Sequence, residues 1–151
     1  MFRGFSKVTL DAKGRLAIPA RHRERIMSRS NGELVITLNT ADYLLIYPFP
    51  DWEEIERKLT RLPSFNKEAM RLRGLMLAHA TDLKLDGHGR VLLPKELREY
   101  AGLERQAFLI GQGNTLQLWD EKRWDKQRAD WLASDGGDGT GLPEELRSLS
   151  L

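Results

Sequence analysis

The 151-residue chain contains no cysteine, which excludes both a disulfide framework and a thiolate metal site. Histidine is scarce: His22, His79 and His88 are the only three. They share no metal-ligand spacing with a carboxylate cluster, so no metal and no cofactor is expected. No apolar run approaches the roughly 18 residues of a membrane span, and the N-terminus lacks the charged-then-apolar pattern of a secretory signal. The expectation is a cytoplasmic protein without membrane contact. Nowhere do a nucleophile, a base and an orienting group fall at a workable spacing, which argues against an enzyme and a small-molecule substrate. Gly87, His88 and Gly89 do not make a dinucleotide fingerprint, because the third glycine and a following βαβ unit are missing.

What the chain does have is charge, 30% of its residues, alongside 40% hydrophobic ones. Residues 1–50 carry eight Lys/Arg against four Asp/Glu, a net of +4. Residues 51–80 come to +1, residues 81–124 to zero and residues 125–151 to −3. Like-sign clustering matters more to a polyanion than the total of +2. A polyanionic partner would therefore meet the first third of the chain.

The sequence also repeats itself. LDAKGRLAIPARHRE, residues 10–24, returns 75 positions later as LDGHGRVLLPKELRE, residues 85–99, with seven of fifteen positions identical. Those are Leu10/Leu85, Asp11/Asp86, Gly14/Gly89, Arg15/Arg90, Pro19/Pro94, Arg23/Arg98 and Glu24/Glu99. Farther along, Tyr47 and Trp52 answer to Trp119 and Trp124 at an offset of 72. Two copies of one unit, sharing a core, are the natural reading.

Each copy follows the same plan. In the first, residues 5–10 alternate as a half-buried strand with Phe5, Val8 and Leu10 on the apolar side. Asp11 to Gly14 breaks it, since Asp accepts backbone N–H bonds in turns and Gly tolerates positive φ. Residues 15–18 form a short strand, and Pro19 opens a helix over residues 19–28 with a basic polar face. A hairpin over residues 33–38 and 43–47 follows. Asp51 is placed to cap a helix over residues 52–62, and Ser64 to cap another over residues 66–79. In the second copy, strands are predicted over residues 81–85, 91–93, 107–111 and 115–119, with Pro94 opening a helix and Asp120 capping a last one. Residues from 134 onward are Gly-rich and acidic, and a flexible tail with a helical turn over residues 144–149 is expected. The organisation is thus a first unit over residues 5–50, a helical connector over 51–80, a second unit over 81–124, and a C-terminal helix and acidic tail over 125–151.

MFRG at the start, LDAKGR followed by P-x-x-x-R, YPFPDWEEIERKL, LDGHGR and a terminal LSL together resemble the MraZ family of bacterial transcriptional regulators. The likeness covers nearly the whole chain. It implies an α+β fold of the SpoVT-AbrB type, in which two units interlock as swapped hairpins into one small β-barrel with flanking helices. It further implies a ring-shaped homo-oligomer on double-stranded DNA, binding repeated promoter boxes upstream of the division and cell-wall gene cluster and repressing its own operon. Nucleoid association would follow. The chain departs from the pattern at His88, where a small residue is common, and at Gly113, where a bulkier one is.

Lys13 and Arg15 flank Gly14, so the turn backbone can approach a phosphate while the arginine fork reaches a base edge. The bland alternative is an Asp11–Arg15 pair that only closes the turn. Arg3, Lys7 and Arg21 are further DNA-binding candidates, with Arg23 and Arg25 beside them, because a basic strand and helix could track a phosphate backbone. For each of these, a solvated face is the competing reading, and the Arg98 counterpart of Arg23 favours a structural ion pair. Asp11, Gly14, Asp86, Gly89 and Arg90 are read as turn-structural. The four tryptophans are read as packing anchors rather than a base-stacking platform. His79 belongs to a core or interface. An oligomeric scaffold or adaptor using the basic face is the alternative function.

Overall fold

The computed structural model describes residues 1–134 and 143–149. Its elements run β1 (Phe5–Thr9), β2 (Arg15–Ala17), α1 (Ala20–Ser30), β3 (Glu33–Leu38), β4 (Leu44–Pro48), α2 (Phe49–Thr60) and α3 (Lys67–His79) through the first copy and the connector. The second copy contributes β5 (Thr81–Lys84), β6 (Arg90–Leu92), α4 (Lys95–Tyr100), β7 (Gln106–Gly111), β8 (Leu116–Asp120) and α5 (Glu121–Ala133), and α6 (Glu144–Arg147) lies in the tail. The expected flexibility of residues 135–142 falls outside the described residues.

Neither copy completes its own sheet. The six-stranded sheet has the order β1-β7-β8-β4-β3-β5, all antiparallel, so the first strand of each copy pairs with the hairpin of the other. Strands β2 and β6 form a separate two-stranded ribbon. Register shows how regular the exchange is. Leu16 pairs with its own counterpart Val91, and Leu45 with its counterpart Gln117. A pseudo-twofold axis therefore runs through both pairs and relates the halves of the molecule.

One core serves both copies. Leu16, Ile18, Ile26, Leu34, Ile36, Leu44 and Ile46 from the first pack with Val91, Leu93, Leu97, Leu109, Leu116 and Leu118 from the second. At about 25 cal/mol per Å² of apolar surface removed from water, a core divided this way stabilises only the assembled pair. Each hairpin's outer face is covered by the helix that follows it. Trp52 and Leu59 of α2, with Met76 of α3, cover Val35, Leu45 and Tyr47. Trp124 of α5 covers Ile110 and Trp119. Strands β3 and β4 are thus buried on both faces, which is why they read as continuous apolar runs.

Local differences from the sequence reading have physical causes. Phe5 shares a strand face with Lys7 and Thr9, opposite Val8, and is 51% exposed. It lies edge-on to Phe108 at 5.9 Å and 6.0 Å from Trp124, on the outer face. Helix α2 starts at Phe49 behind Pro48, because the fixed φ of proline already suits a helix entry. Asp51 sits inside its first turn and pairs with Arg29 of α1 at 3.2 Å instead of capping. Asn66, not Ser64, caps α3, accepting from the Ala69 N–H at 3.0 Å. Asp120 caps α5 as expected, accepting from Arg123 N–H. Gly113 and Asn114 form the β7–β8 turn, closed by Gln112 N–H donating to the Thr115 carbonyl.

Candidate nucleic-acid interface

The two repeated turns are built alike, atom for atom. Asp11 Oδ1 accepts from the backbone N–H of Lys13 at 2.9 Å and of Arg15 at 2.8 Å, and Oδ2 accepts from Arg15 Nε at 2.6 Å. Asp86 Oδ1 accepts from His88 and Arg90 N–H at 2.8 and 2.9 Å, and Oδ2 from Arg90 Nε at 3.0 Å. The backbone bonds to Arg15, and then that residue's side chain, hold the Asp11 carboxyl below the ordinary carboxylate range; Arg90 does the same for Asp86. A carboxylate with this many donors is a fixed element of the turn.

Gly14 and Gly89 are buried at φ +83° and +73°. Besides the backbone conformation, each glycine makes room for the other copy. A Cβ on Gly14 would stand 2.6 Å from Arg98 Cζ, and one on Gly89 would stand 2.1 Å from Arg23 Cδ. Arg23 and Arg98 therefore lie across the opposite turns. The ion pair expected of them is replaced by hydrogen bonds to carbonyls: Arg23 Nη1 donates to His88 O at 3.2 Å and Arg98 Nε to Leu93 O at 3.3 Å. Gly14 O accepts from Leu93 N–H and Gly89 O from Ile18 N–H, which fixes the turns at opposite ends of the β2–β6 ribbon. At about 3.3 Å per strand residue, they stand roughly 13 Å apart along it.

Both readings of Arg15 meet in this geometry. The Asp11 pair is present, yet it uses Nε alone and the side chain remains 32% exposed. Its two terminal nitrogens have no acceptor among the described residues, and they are the ones that form a bidentate fork. Lys13 is exposed beside it, its ammonium without an acceptor among the described residues.

The other candidates belong elsewhere. Lys7 pairs with Glu121 at 3.0 Å, under α5. Arg21 Nη2 donates to Ser6 Oγ at 2.8 Å, next to Gly4, and Arg3 is exposed on the same N-terminal segment. Arg25 donates to the Met1 carbonyl and Arg29 pairs with Asp51. The basic face of α1 thus ties the helix to the N-terminal segment, the second turn and α2. Two cations that sequence reasoning missed stand at the first turn instead: Arg98 over Gly14, and Arg105, whose carbonyl accepts from Leu10 N–H at 2.7 Å. Both come from the second copy, whose net charge of zero gave no signal.

Three tryptophans are buried anchors, whereas Trp131 is 58% exposed with its edge toward Trp119 and Trp124 at 6.5 and 6.0 Å. Half-buried His79 shares a hydrogen bond with the Leu75 carbonyl at 2.8 Å. Among the described residues no helix is long and apolar enough to cross a membrane.

The profile of a family described as "MraZ protein, putative antitoxin-like" matches residues 1–74 and 76–135. The chain is 53% identical to a protein of Halorhodospira halophila named Transcriptional regulator MraZ, over 152 residues and the whole of both chains. Proteins of the same name from Coxiella burnetii and Pseudomonas aeruginosa are 51% and 50% identical, again over the full length of both chains.

Proposed function

This chain belongs to the MraZ family, and from that premise we propose that it is a sequence-specific, DNA-binding transcriptional regulator of the cytoplasm and nucleoid. It represses its own division and cell-wall gene cluster as a ring-shaped homo-oligomer seated on repeated promoter boxes. The observation that carries the DNA contact is the half-open Arg15. Its Nε donates to Asp11 at 2.6 Å, which aims the guanidinium, and the terminal nitrogens, which meet no acceptor among the described residues, are left for guanine O6 and N7. Lys13, two residues away, supplies a point charge for phosphate.

Each turn on its own binds weakly. A ring carrying several of them makes the second and later contacts intramolecular, so repeated boxes and a repeated site reinforce each other. The test is a gel shift of the full-length chain on its own upstream region and on random DNA of equal length. Arg15→Ala should abolish the preference while native mass measurement finds the oligomer intact. Unchanged affinity for the upstream fragment overturns the site.

A further inference from the structure

The pseudo-twofold axis makes a comparison that the sequence repeat alone does not. Leu10 N–H donates to the Arg105 carbonyl at 2.7 Å, and its counterpart Leu85 N–H donates to the Gly32 carbonyl at 3.0 Å. Positions 105 and 32 therefore stand in equivalent places, one beside each turn, and each is supplied by the opposite copy. The backbones match and the charges do not. Around the first turn lie Lys13, Arg15 and Arg105; around the second lie His88, Arg90 and Gly32, a residue with no side chain at all.

Arg105 is exposed, and its side chain has neither hydrogen bond nor ion pair among the described residues. It borders an open depression of about 580 Å³ shared with Thr9, Asp11, Arg98 and Glu104. The Asp11 carboxylate at that rim is already taken up by the turn and Arg15, and Arg98 is held by the Leu93 carbonyl. Among the described residues Arg105 is thus a cation without a partner, next to the exposed Lys13 and Arg15 turn. Among the described residues, only its backbone carbonyl takes part in a hydrogen bond of the fold.

We propose that Arg105 is a contact to the phosphodiester backbone of DNA, so that the reading unit is a composite: the first copy supplies the base-reading turn and the second supplies a phosphate clamp. The second turn, geometrically intact but with His88 and Gly32 where the first has Lys13 and Arg105, contributes little to affinity. This rests on the DNA-binding reading above. Phosphate neutralisation leaves a signature distinct from base reading, because it sets the salt dependence of binding without choosing sequence.

The experiment is a salt titration of affinity for full-length wild type, Arg105→Gln, Arg105→Lys, Arg15→Ala and Arg90→Ala, on the chain's own upstream fragment and on random DNA. For Arg105→Gln the slope of log affinity against log salt should fall by about 0.9 for each engaged copy, equivalent to about 3.5-fold between 50 and 200 mM salt. Both DNAs should weaken alike, so their ratio holds, and Arg105→Lys should restore the slope. Arg90→Ala should leave the slope unchanged. An unchanged slope in Arg105→Gln, or a loss confined to the upstream fragment, overturns the phosphate assignment. So does an Arg90→Ala effect as large as that of Arg105→Gln, for the claim of unequal turns. Failure of the underlying reading looks different: wild type would not distinguish its upstream fragment from random DNA, and Arg15→Ala would change nothing.

Discussion

Arg98 lies across Gly14 so closely that a β-carbon on the glycine would meet its guanidinium carbon at 2.6 Å. Gly14 also holds φ at +83°, where an L side chain costs about 1–2 kcal/mol. Gly14→Ala should lower stability by about that amount, lift Arg98 off the turn and weaken DNA binding along with it. Gly74 is the internal comparison. It lies inside α3 with nothing within 4 Å of its missing β-carbon, so Gly74→Ala should gain about 0.5–1 kcal/mol. Chemical denaturation of both variants measures the contrast, and equal effects would remove the special role of the turn.

The pattern of what the chain disclosed in advance follows from the range of the forces involved. Asp11, Gly14 and Arg15 are joined by hydrogen bonds spanning at most four residues, so the turn can be read from its own sequence. The apolar runs of β3 and β4 were equally plain. Arg98 on Gly14 and Arg105 beside Leu10 were not, because both depend on one copy pairing with the other, the first through the β2–β6 ribbon and the second through β1 and β7. Two of the three helix caps failed for a smaller reason: Pro48 and Asn66 compete with Asp51 and Ser64 a few residues away, and composition does not rank them. Charge misled in the same way. It pointed to Arg21, Arg23 and Arg25 as further DNA contacts with a solvated face as the competing reading, whereas these three and Arg29 donate to Ser6, His88, Met1 and Asp51.

Asp11 has two separable duties, and two substitutions tell them apart. Asn at position 11 can still accept from the N–H groups of Lys13 and Arg15 but cannot form the ion pair with Arg15 Nε. Asp11→Asn should lower the thermal midpoint less than Asp11→Ala does and lose DNA affinity by about tenfold, the equivalent of 1.4 kcal/mol for one mis-aimed arginine. Asp11→Ala should lose both. Acid should act on the same group. Its folded pKa lies below the ordinary 3.8, so its stabilisation is complete above that value and is lost as pH falls through the folded value. A wild type and an Asp11→Asn/Asp86→Asn variant with identical acid-denaturation profiles below pH 4 would contradict this.

Lysine at position 15 keeps the charge and loses the fork. If Arg15 met phosphate alone, Arg15→Lys would bind DNA much as wild type does. The aimed, half-exposed guanidinium predicts otherwise: affinity for random DNA should persist, while the preference for the upstream fragment should fall by about 1–3 kcal/mol per lost bidentate base contact. Competition binding with both DNAs reads the ratio directly. A preserved preference would transfer base reading to another residue.

His22 offers a prediction about stability that involves neither turn. Its ring is 2% exposed, stands edge-on to Phe2 at 5.6 Å, and has no hydrogen-bond partner for Nδ1 or Nε2 among the described residues. Burial, followed by the like charges of Arg21 and Arg25, pushes its pKa below the ordinary 6.5. The folded protein therefore holds the neutral ring while the unfolded chain takes up a proton near pH 6.5. Stability is complete above that pH and is lost as pH falls below it, by up to about 1.4 kcal/mol per pH unit until the folded value is reached. His22→Leu keeps the apolar contact with Phe2 and removes the proton. It should be at least as stable as wild type at pH 8 and should flatten the decline below pH 6.5. Denaturant midpoints across that window decide the matter, and parallel declines in the two proteins would show that His22 is not the group being titrated.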